Sequence, residues 1–210
     1  EMRTYELTGL SLGTNQIRFT LDELSTKASS AQVIPYETTP SGSFEKRLIE
    51  QVRTLYRPND LGLSRNDSLV LLPLGQVESL AIPGESYKLA LTQGLVHQVF
   101  GPKATDSMFQ MEGRYAHSDG DAHWWIPSGR SFFSPDANDD PARELDEARN
   151  HFFVLRRVRN PFHRDNFNTE SDVEYDTHDL LVTHTQDAHG NGLSARTDYR
   201  VLQPSLVTDA

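Results

Sequence analysis

The chain has 210 residues, 36% of them hydrophobic, and its 30 acidic against 20 basic side chains leave a net charge of −10. That length buries a real core as one large domain or two small ones, yet the low apolar content and negative mean hydropathy suit a thin, largely solvated sheet better than a compact enzyme. The acidic balance opposes encounter with nucleic acid, the absence of cysteine excludes disulfides, thiolate zinc sites and cysteine nucleophiles, and no apolar run reaches the length of a membrane-spanning helix.

Arg3 to Leu7 alternates polar and apolar residues and predicts a strand, and Gln16 to Phe19 predicts another. Thr20-Leu21-Asp22-Glu23 has the form of a capping box and predicts a short helix through about Lys27. Gln32 to Glu37 returns to strand character around Val33 and Ile34, and Thr38 to Gly42 reads as a loop. Lys46 to Tyr56 fits a strand or a helix on pattern alone. Leu61 to Leu80 is the most apolar stretch; Pro73 and Gly75 interrupt it, so two short buried strands are expected rather than one helix.

From Glu85, the apolar positions Tyr87, Leu89, Ala90 and Leu91, then Leu95, Val96 and Val99, show helical spacing. Gly94 breaks it and Gly101-Pro102 stops it, which predicts a helical hairpin or a kinked helix. Asp140 to Asn150 predicts a helix capped by Asp140, with Pro141 in its first turn and Leu145 and Ala148 on its apolar stripe. Everything after Phe152 reads as strands and turns. The expected class is α+β, predominantly β, with a boundary near Asn150 between a mixed region, residues 1–150, and a β-meander, residues 151–210.

Arg156 to Ala210 reads as two imperfect copies of one hairpin unit. Asn160-Pro161-Phe162-His163 is echoed 27 residues later by Asp187-Ala188-His189-Gly190, and Tyr175-Asp176 is echoed loosely by Asp198-Tyr199. A period of this size marks a unit that stacks on neighbours to bury its apolar face, and two units are too few to close such an array. The chain begins at Glu1 without an initiator methionine and ends on strand-like Val207-Thr208-Asp209-Ala210 without a capping signal. A piece of a longer polypeptide is therefore expected.

Four constellations have the residue types that chemistry needs. Gly9-Leu10-Ser11-Leu12-Gly13 matches the GxSxG nucleophile elbow, which requires a strand before the serine and a helix after it. Thr14 to Phe19 reads instead as turn and strand, so a Gly-rich hairpin turn is favoured. On an extended strand His117, Asp119, Asp121 and His123 would share one face and suit a divalent metal, as in a metal-dependent hydrolase. Asp-Gly-Asp around Gly120 favours a turn that breaks that face.

Trp124, Trp125, Phe132 and Phe133, with Tyr115, would serve as an aromatic platform in a carbohydrate- or surface-binding module. Alternation along a strand sends adjacent rings to opposite faces and favours a core role. Arg156, Arg157, Arg159 and Arg164 form a basic patch, favoured as a solvated strand face or as ion pairs with the many aspartates.

Longer strings resemble a known family. Leu74-Gly75-Gln76-Val77-Glu78-Ser79-Leu80, Glu85-Ser86-Tyr87-Lys88-Leu89-Ala90, Trp124-Trp125-Ile126-Pro127-Ser128-Gly129-Arg130 and Asp198-Tyr199-Arg200-Val201-Leu202-Gln203-Pro204 resemble the middle to C-terminal region of the B component (TcB) of bacterial insecticidal toxin complexes, and of related Rhs-repeat virulence proteins. The resemblance runs from about Glu1 to Ala210. It implies a segment of a secreted shell rather than a catalyst: short helices followed by Rhs-like hairpins of a spiral β-sheet cocoon that encloses the cytotoxic tail of the C component.

The same resemblance implies partnership with the C component and, through the rest of the polypeptide, with the pore-forming A component. It implies no catalytic residue, cofactor, metal, nucleic acid or direct membrane insertion. Tyr175-Asp176 and Asp187-Ala188-His189-Gly190-Asn191 match Rhs-like positions, where tyrosine packs between successive strands and Gly-Asn makes the turn. The family commonly writes the first turn Asp-Pro-Phe-Gly; His163 replaces that glycine and disfavours positive φ, so a different turn is expected there.

Overall fold

The computed structural model describes residues 1–62, 70–164 and 166–209. In sequence order these form β1 (Met2–Thr8), α1 (Leu21–Ser30), β2 (Gln32–Ile34), β3 (Glu45–Tyr56), β4 (Pro83–Leu91), α2 (Gln93–Val99), β5 (Trp124–Pro127), β6 (Arg130–Phe132), α3 (Pro141–Asn150), β7 (Arg157–Arg159), β8 (Glu170–Tyr175), β9 (Val182–Gln186), β10 (Gly192–Asp198) and β11 (Gln203–Asp209). The fold is α+β and predominantly β. One sheet has the order β1-β3-β4-β5, with β2 parallel to β3. The other has the order β11-β10-β9-β8-β7-β6 and is antiparallel throughout. No helix among the described residues is long and apolar enough to cross a membrane.

The chain divides into two compact units, Glu1–Arg53 with Tyr87–Ile126 and Thr54–Ser86 with Pro127–Ala210. In the first, the Thr20 capping box forms as the sequence predicts: Glu23 N–H donates to Thr20 Oγ1 at 3.3 Å, and Thr20 N–H donates to Glu23 Oε2 at 2.7 Å. Both orphan donors are satisfied, and α1 runs on to Ser30.

Gln16 to Phe19 is not a strand. Gln16 N–H closes a turn on the Gly13 carbonyl at 3.0 Å, and its side chain bonds both Gly13 N–H and the Glu23 carboxylate. These bonds tie the segment to the helix cap, and Ile17 is left 93% exposed.

The helix expected from Glu85 is overturned in its first half, which is β4. Tyr87, Leu89 and Leu91 also fit a period of two, and sheet pairing settles the choice. Thr92 then caps α2, accepting from Leu95 N–H at 3.1 Å.

In the second unit a small apolar cluster of Leu61, Ile82, Phe133, Leu145 and Ala148 is joined by Phe153. Helix α3 forms as predicted, with Asp140 Oδ1 accepting from Arg143 N–H at 2.9 Å and Leu145 and Ala148 buried. Its C-terminus turns sharply, because Phe152 and Phe153 both lie in the left-handed region at φ 53° and 57°, at about 1–2 kcal/mol each. That conformation caps the helix, since Phe153 N–H reaches the Ala148 carbonyl at 2.7 Å, and it sets the Phe153 ring edge-on against Phe133 at 5.8 Å.

Leu61 is fully buried, but no strand forms among the described residues between it and Leu80, and residues 63–69 lie outside the description. Leu61 N–H instead closes a turn on the Pro58 carbonyl at 2.9 Å, and Gln76 N–H closes another on Pro73 at 3.0 Å.

A buried ion pair crosses this cluster. Arg57 donates to both Glu144 oxygens, at 3.1 and 3.3 Å, and also to the Leu61 carbonyl at 3.1 Å, while Glu144 Oε1 accepts from Phe133 N–H at 3.1 Å. Removing one partner strands the other charge, so Glu144→Ala lowers the unfolding free energy in urea by about 3–5 kcal/mol. Replacing both by leucine recovers only part of that loss, because Phe133 N–H and the Leu61 carbonyl stay unsatisfied.

Candidate functional site

Each of the four sequence constellations resolves into a packing role. Gly9 follows β1 at φ 68°, and the Ser43 carbonyl would lie 2.3 Å from a Cβ placed there. The glycine thus serves a close backbone crossing, and α1 begins only at Leu21, so Ser11 does not sit on a nucleophile elbow.

The His117–His123 segment is a turn, with Asp119 at φ 55° and Gly120 at φ 73°. Asp121 Oδ1 accepts from His123 N–H at 3.0 Å and from Trp125 Nε1 at 2.9 Å; its Oδ2 accepts from Arg53 at 2.7 Å. His117 Nδ1 donates to the His123 carbonyl at 2.9 Å. Burial alone would raise the Asp121 carboxyl, but the bonds from Trp125, Arg53 and His123 outweigh it and hold it below its ordinary range. No three His, Asp or Glu side groups converge as a metal set among the described residues.

Trp124 and Trp125 are 1% and 0% exposed, which overturns the sugar-platform reading: neither ring offers a face. Trp124 lies against Phe109 at 5.0 Å and His117 at 4.1 Å, while Trp125 carries the Arg53 guanidinium at 4.1 Å. Adjacent rings have separate partners, as strand alternation requires.

Arg156, Arg157 and Arg159 of the arginine cluster are paired. Arg157 and Arg159 stack on Phe132 at 4.9 and 4.8 Å and both bond Glu170, Arg157 at 2.8 Å. Burial pushes the Glu170 carboxyl up, and the two guanidinium groups pull it below its usual range. Arg156 bonds Asp179 at 2.7 Å.

What the second unit offers instead is a ladder of strands in strict sequence order, whose last three connections are turns that begin with aspartate. The sequence offset of 27 is not the structural repeat. Asp176, Asp187 and Asp198, each eleven residues after the last, open the turns β8–β9, β9–β10 and β10–β11. Asp176 Oδ1 accepts from the N–H groups of His178, Leu180 and Leu181 at 3.2, 2.9 and 3.3 Å. Asp187 Oδ1 accepts from His189 and Asn191 at 2.9 and 3.0 Å, and Asp198 Oδ1 from Arg200 at 2.9 Å. The carboxylate thus replaces ladder partners where the backbone reverses.

The earlier turn is different, as the sequence predicts. His163 is not among the residues at positive φ, and its N–H closes on the Asn160 carbonyl at 3.1 Å. The Asp187 turn ends on Gly190 at φ 86°, as the Gly-Asn match implies.

The first and third aspartate turns lie at one end of the sheet and lock together. Tyr199 donates its hydroxyl to Asp176 Oδ2, and its ring meets His178 edge-on at 6.2 Å. That bond, with the three N–H groups, lowers the Asp176 carboxyl to about 2. Asn191 and Arg200 lower Asp187 and Asp198 in turn. Within the Asp176 turn, Asp179, at φ 55°, is held by His151 at 2.8 Å and by Arg156. Strand β11 pairs with β10 and is exposed along all seven residues. Its other edge pairs with no strand among the described residues and offers backbone donors and acceptors to a further strand.

No protein-family model matches the chain, and no curated protein does. Among solved structures, a crystal structure of TcdB2-TccC3 without its hypervariable C-terminal region aligns over 88% of this chain with a TM-score of 0.51 and 14% identity. The chain shares the fold of that segment. The alignment covers 8% of the TcdB2-TccC3 polypeptide. A crystal structure of TcdB2-TccC3-Cdc42 aligns over 79% of this chain and 7% of its own, at 16% identity and a TM-score of 0.49.

The depressed Asp176 carboxyl carries a pH signature. Its contribution to the lock is complete above the ordinary value of 3.8 and is lost as pH falls through about 2. Tyr199→Phe removes the largest cause, so Asp176 then titrates closer to 3.8, as carboxyl-carbon NMR will show.

Proposed function

We propose that this chain is a structural wall segment of a secreted toxin-complex B component, with a mixed α+β region over residues 1–150 leading into Rhs-like hairpins over 151–210. Together with a C component the wall encloses a cavity that holds the C component's cytotoxic tail. The rest of the polypeptide meets the pore-forming A component. The observation that carries this reading is the fold shared with TcdB2-TccC3 over 88% of the chain, and the six-stranded sheet whose strands follow sequence order supports it.

Containment asks for no catalytic residue and no cofactor. It asks that neighbouring strands satisfy one another's backbone groups, so that a wall one sheet thick stays closed without water entering the ladder. The aspartate turns serve that end, since each reversal satisfies its own N–H groups from a carboxylate. The outer edge of β11, unpaired among the described residues, is where this wall would take up a further strand.

The test is to produce the complete polypeptide that carries this segment together with its C component, and to follow digestion of the C component's tail by a nonspecific protease. Under this reading the tail survives in the complex and is degraded when the C component is produced alone, and electron microscopy of the complex shows a hollow particle. Equal digestion in the two samples would overturn it.

A further inference from the structure

Asn191-Gly192 is the one Asn-Gly step in the sequence. At such a step the glycine nitrogen, unhindered by a substituent on its Cα, attacks the asparagine Cγ. A new N–Cγ bond forms, the bond from Cγ to Nδ2 breaks, and ammonia leaves with the proton of the glycine amide. Water then opens the resulting succinimide to aspartate or isoaspartate. The reaction needs no other reagent.

The β9–β10 turn ties Asn191 to Asp187 at three points. Its Nδ2 donates to Asp187 Oδ2 at 2.8 Å, its N–H donates to Asp187 Oδ1 at 3.0 Å, and its carbonyl accepts from Asp187 N–H at 3.0 Å. Gly192 opens β10, is buried, and lies against His184, whose Cε1 would be 2.9 Å from a Cβ at that position. Any movement of Cγ onto the Gly192 nitrogen works against these three hydrogen bonds.

We propose that Asn191 is a latent deamidation site, kept unreactive by Asp187, and that its conversion opens the β9–β10 turn. The product places a second carboxylate against Asp187 where an amide donor stood, so attraction becomes repulsion. Isoaspartate would also lengthen the backbone at a point where both strands are in register, with Gly192 opposite Gln186.

Mass spectrometry of the folded protein in warm, mildly alkaline buffer, with fragmentation to locate the site, reads the first half of the proposal. Asp187→Asn keeps an oxygen for the His189 and Asn191 N–H groups but sets an amide against Asn191 Nδ2. It should deamidate at Asn191 about tenfold faster than the wild type, the equivalent of one charge-assisted hydrogen bond. The wild type in denaturant should be faster still. Asp187→Asn reacting at the wild-type rate, or folded wild type reacting as fast as in denaturant, overturns the guarding role.

Amide exchange reads the second half. Asn191→Asp should speed exchange at His189 and Asp187, while combining it with Asp187→Asn should slow exchange again by removing one of the facing charges. Unchanged exchange in Asn191→Asp overturns the claim that conversion opens the turn.

Discussion

A guanidinium sealed from water has to meet a carboxylate, and the meeting of Arg57 with Glu144 is the constraint on which the second unit rests. Arg57 is 2% exposed and Glu144 6%, one directly after β3 and the other in the first turn of α3. Glu144 also receives Phe133 N–H, and Arg57 also reaches the Leu61 carbonyl. One ion pair therefore fixes a helix, the residue after β6 and the turn that buries Leu61. An isolated pair of this kind adds little over apolar packing of the same shape, but this one also satisfies Phe133 N–H and the Leu61 carbonyl, and it specifies partners that a leucine would leave interchangeable. Arg57 Nε has no hydrogen-bond partner among the described residues.

Pairing of a packed arginine with a carboxylate recurs at Arg53, Arg157 and Arg159. Arg53 lies on Trp125 and bonds Asp121; Arg157 and Arg159 lie on Phe132 and bond Glu170. In each case a planar cation covers an aromatic face while its fork meets a carboxylate, which lysine could not do with the same geometry. Low hydrophobic content is thus compatible with tight packing, because arginine stems and planes fill the space that aliphatic groups usually occupy.

Local chemistry was legible in the sequence, and pairing was not. The Thr20 and Asp140 caps, the Pro141 start and the burial of Leu145 and Ala148 depend on neighbours within a turn, and all could be read directly. Tyr87 to Leu91 fits both periods, and only the partner strand chose between them. Gln16 to Phe19 has strand character, yet the Gln16 amide finds a better use at a helix cap. The eleven-residue spacing of Asp176, Asp187 and Asp198 is open to view, but the similar Asn160 and Asp187 turns suggest a longer offset that pairing does not follow. The Trp124-Trp125 pair illustrates the converse: alternation along a strand favours burial over a binding surface, while the arginine that covers Trp125 comes from a distant strand and leaves no local mark.

The spacing of those aspartates sets a rule for how this part of the molecule can change. Between one turn and the next the side chains alternate across the sheet, so the position of each aspartate fixes which residues of the following strand share a face with Leu193 and which with His184. Gaining or losing a single residue inside β9 or β10 would exchange the two faces for every position downstream, whereas gaining or losing two would lengthen or shorten a strand and leave the faces as they are. Viable length variation in these hairpins should therefore come in even steps, and an odd step should be accompanied by a bulge of the kind already present between Arg196 and Thr197, which absorbs the extra residue and restores the alternation.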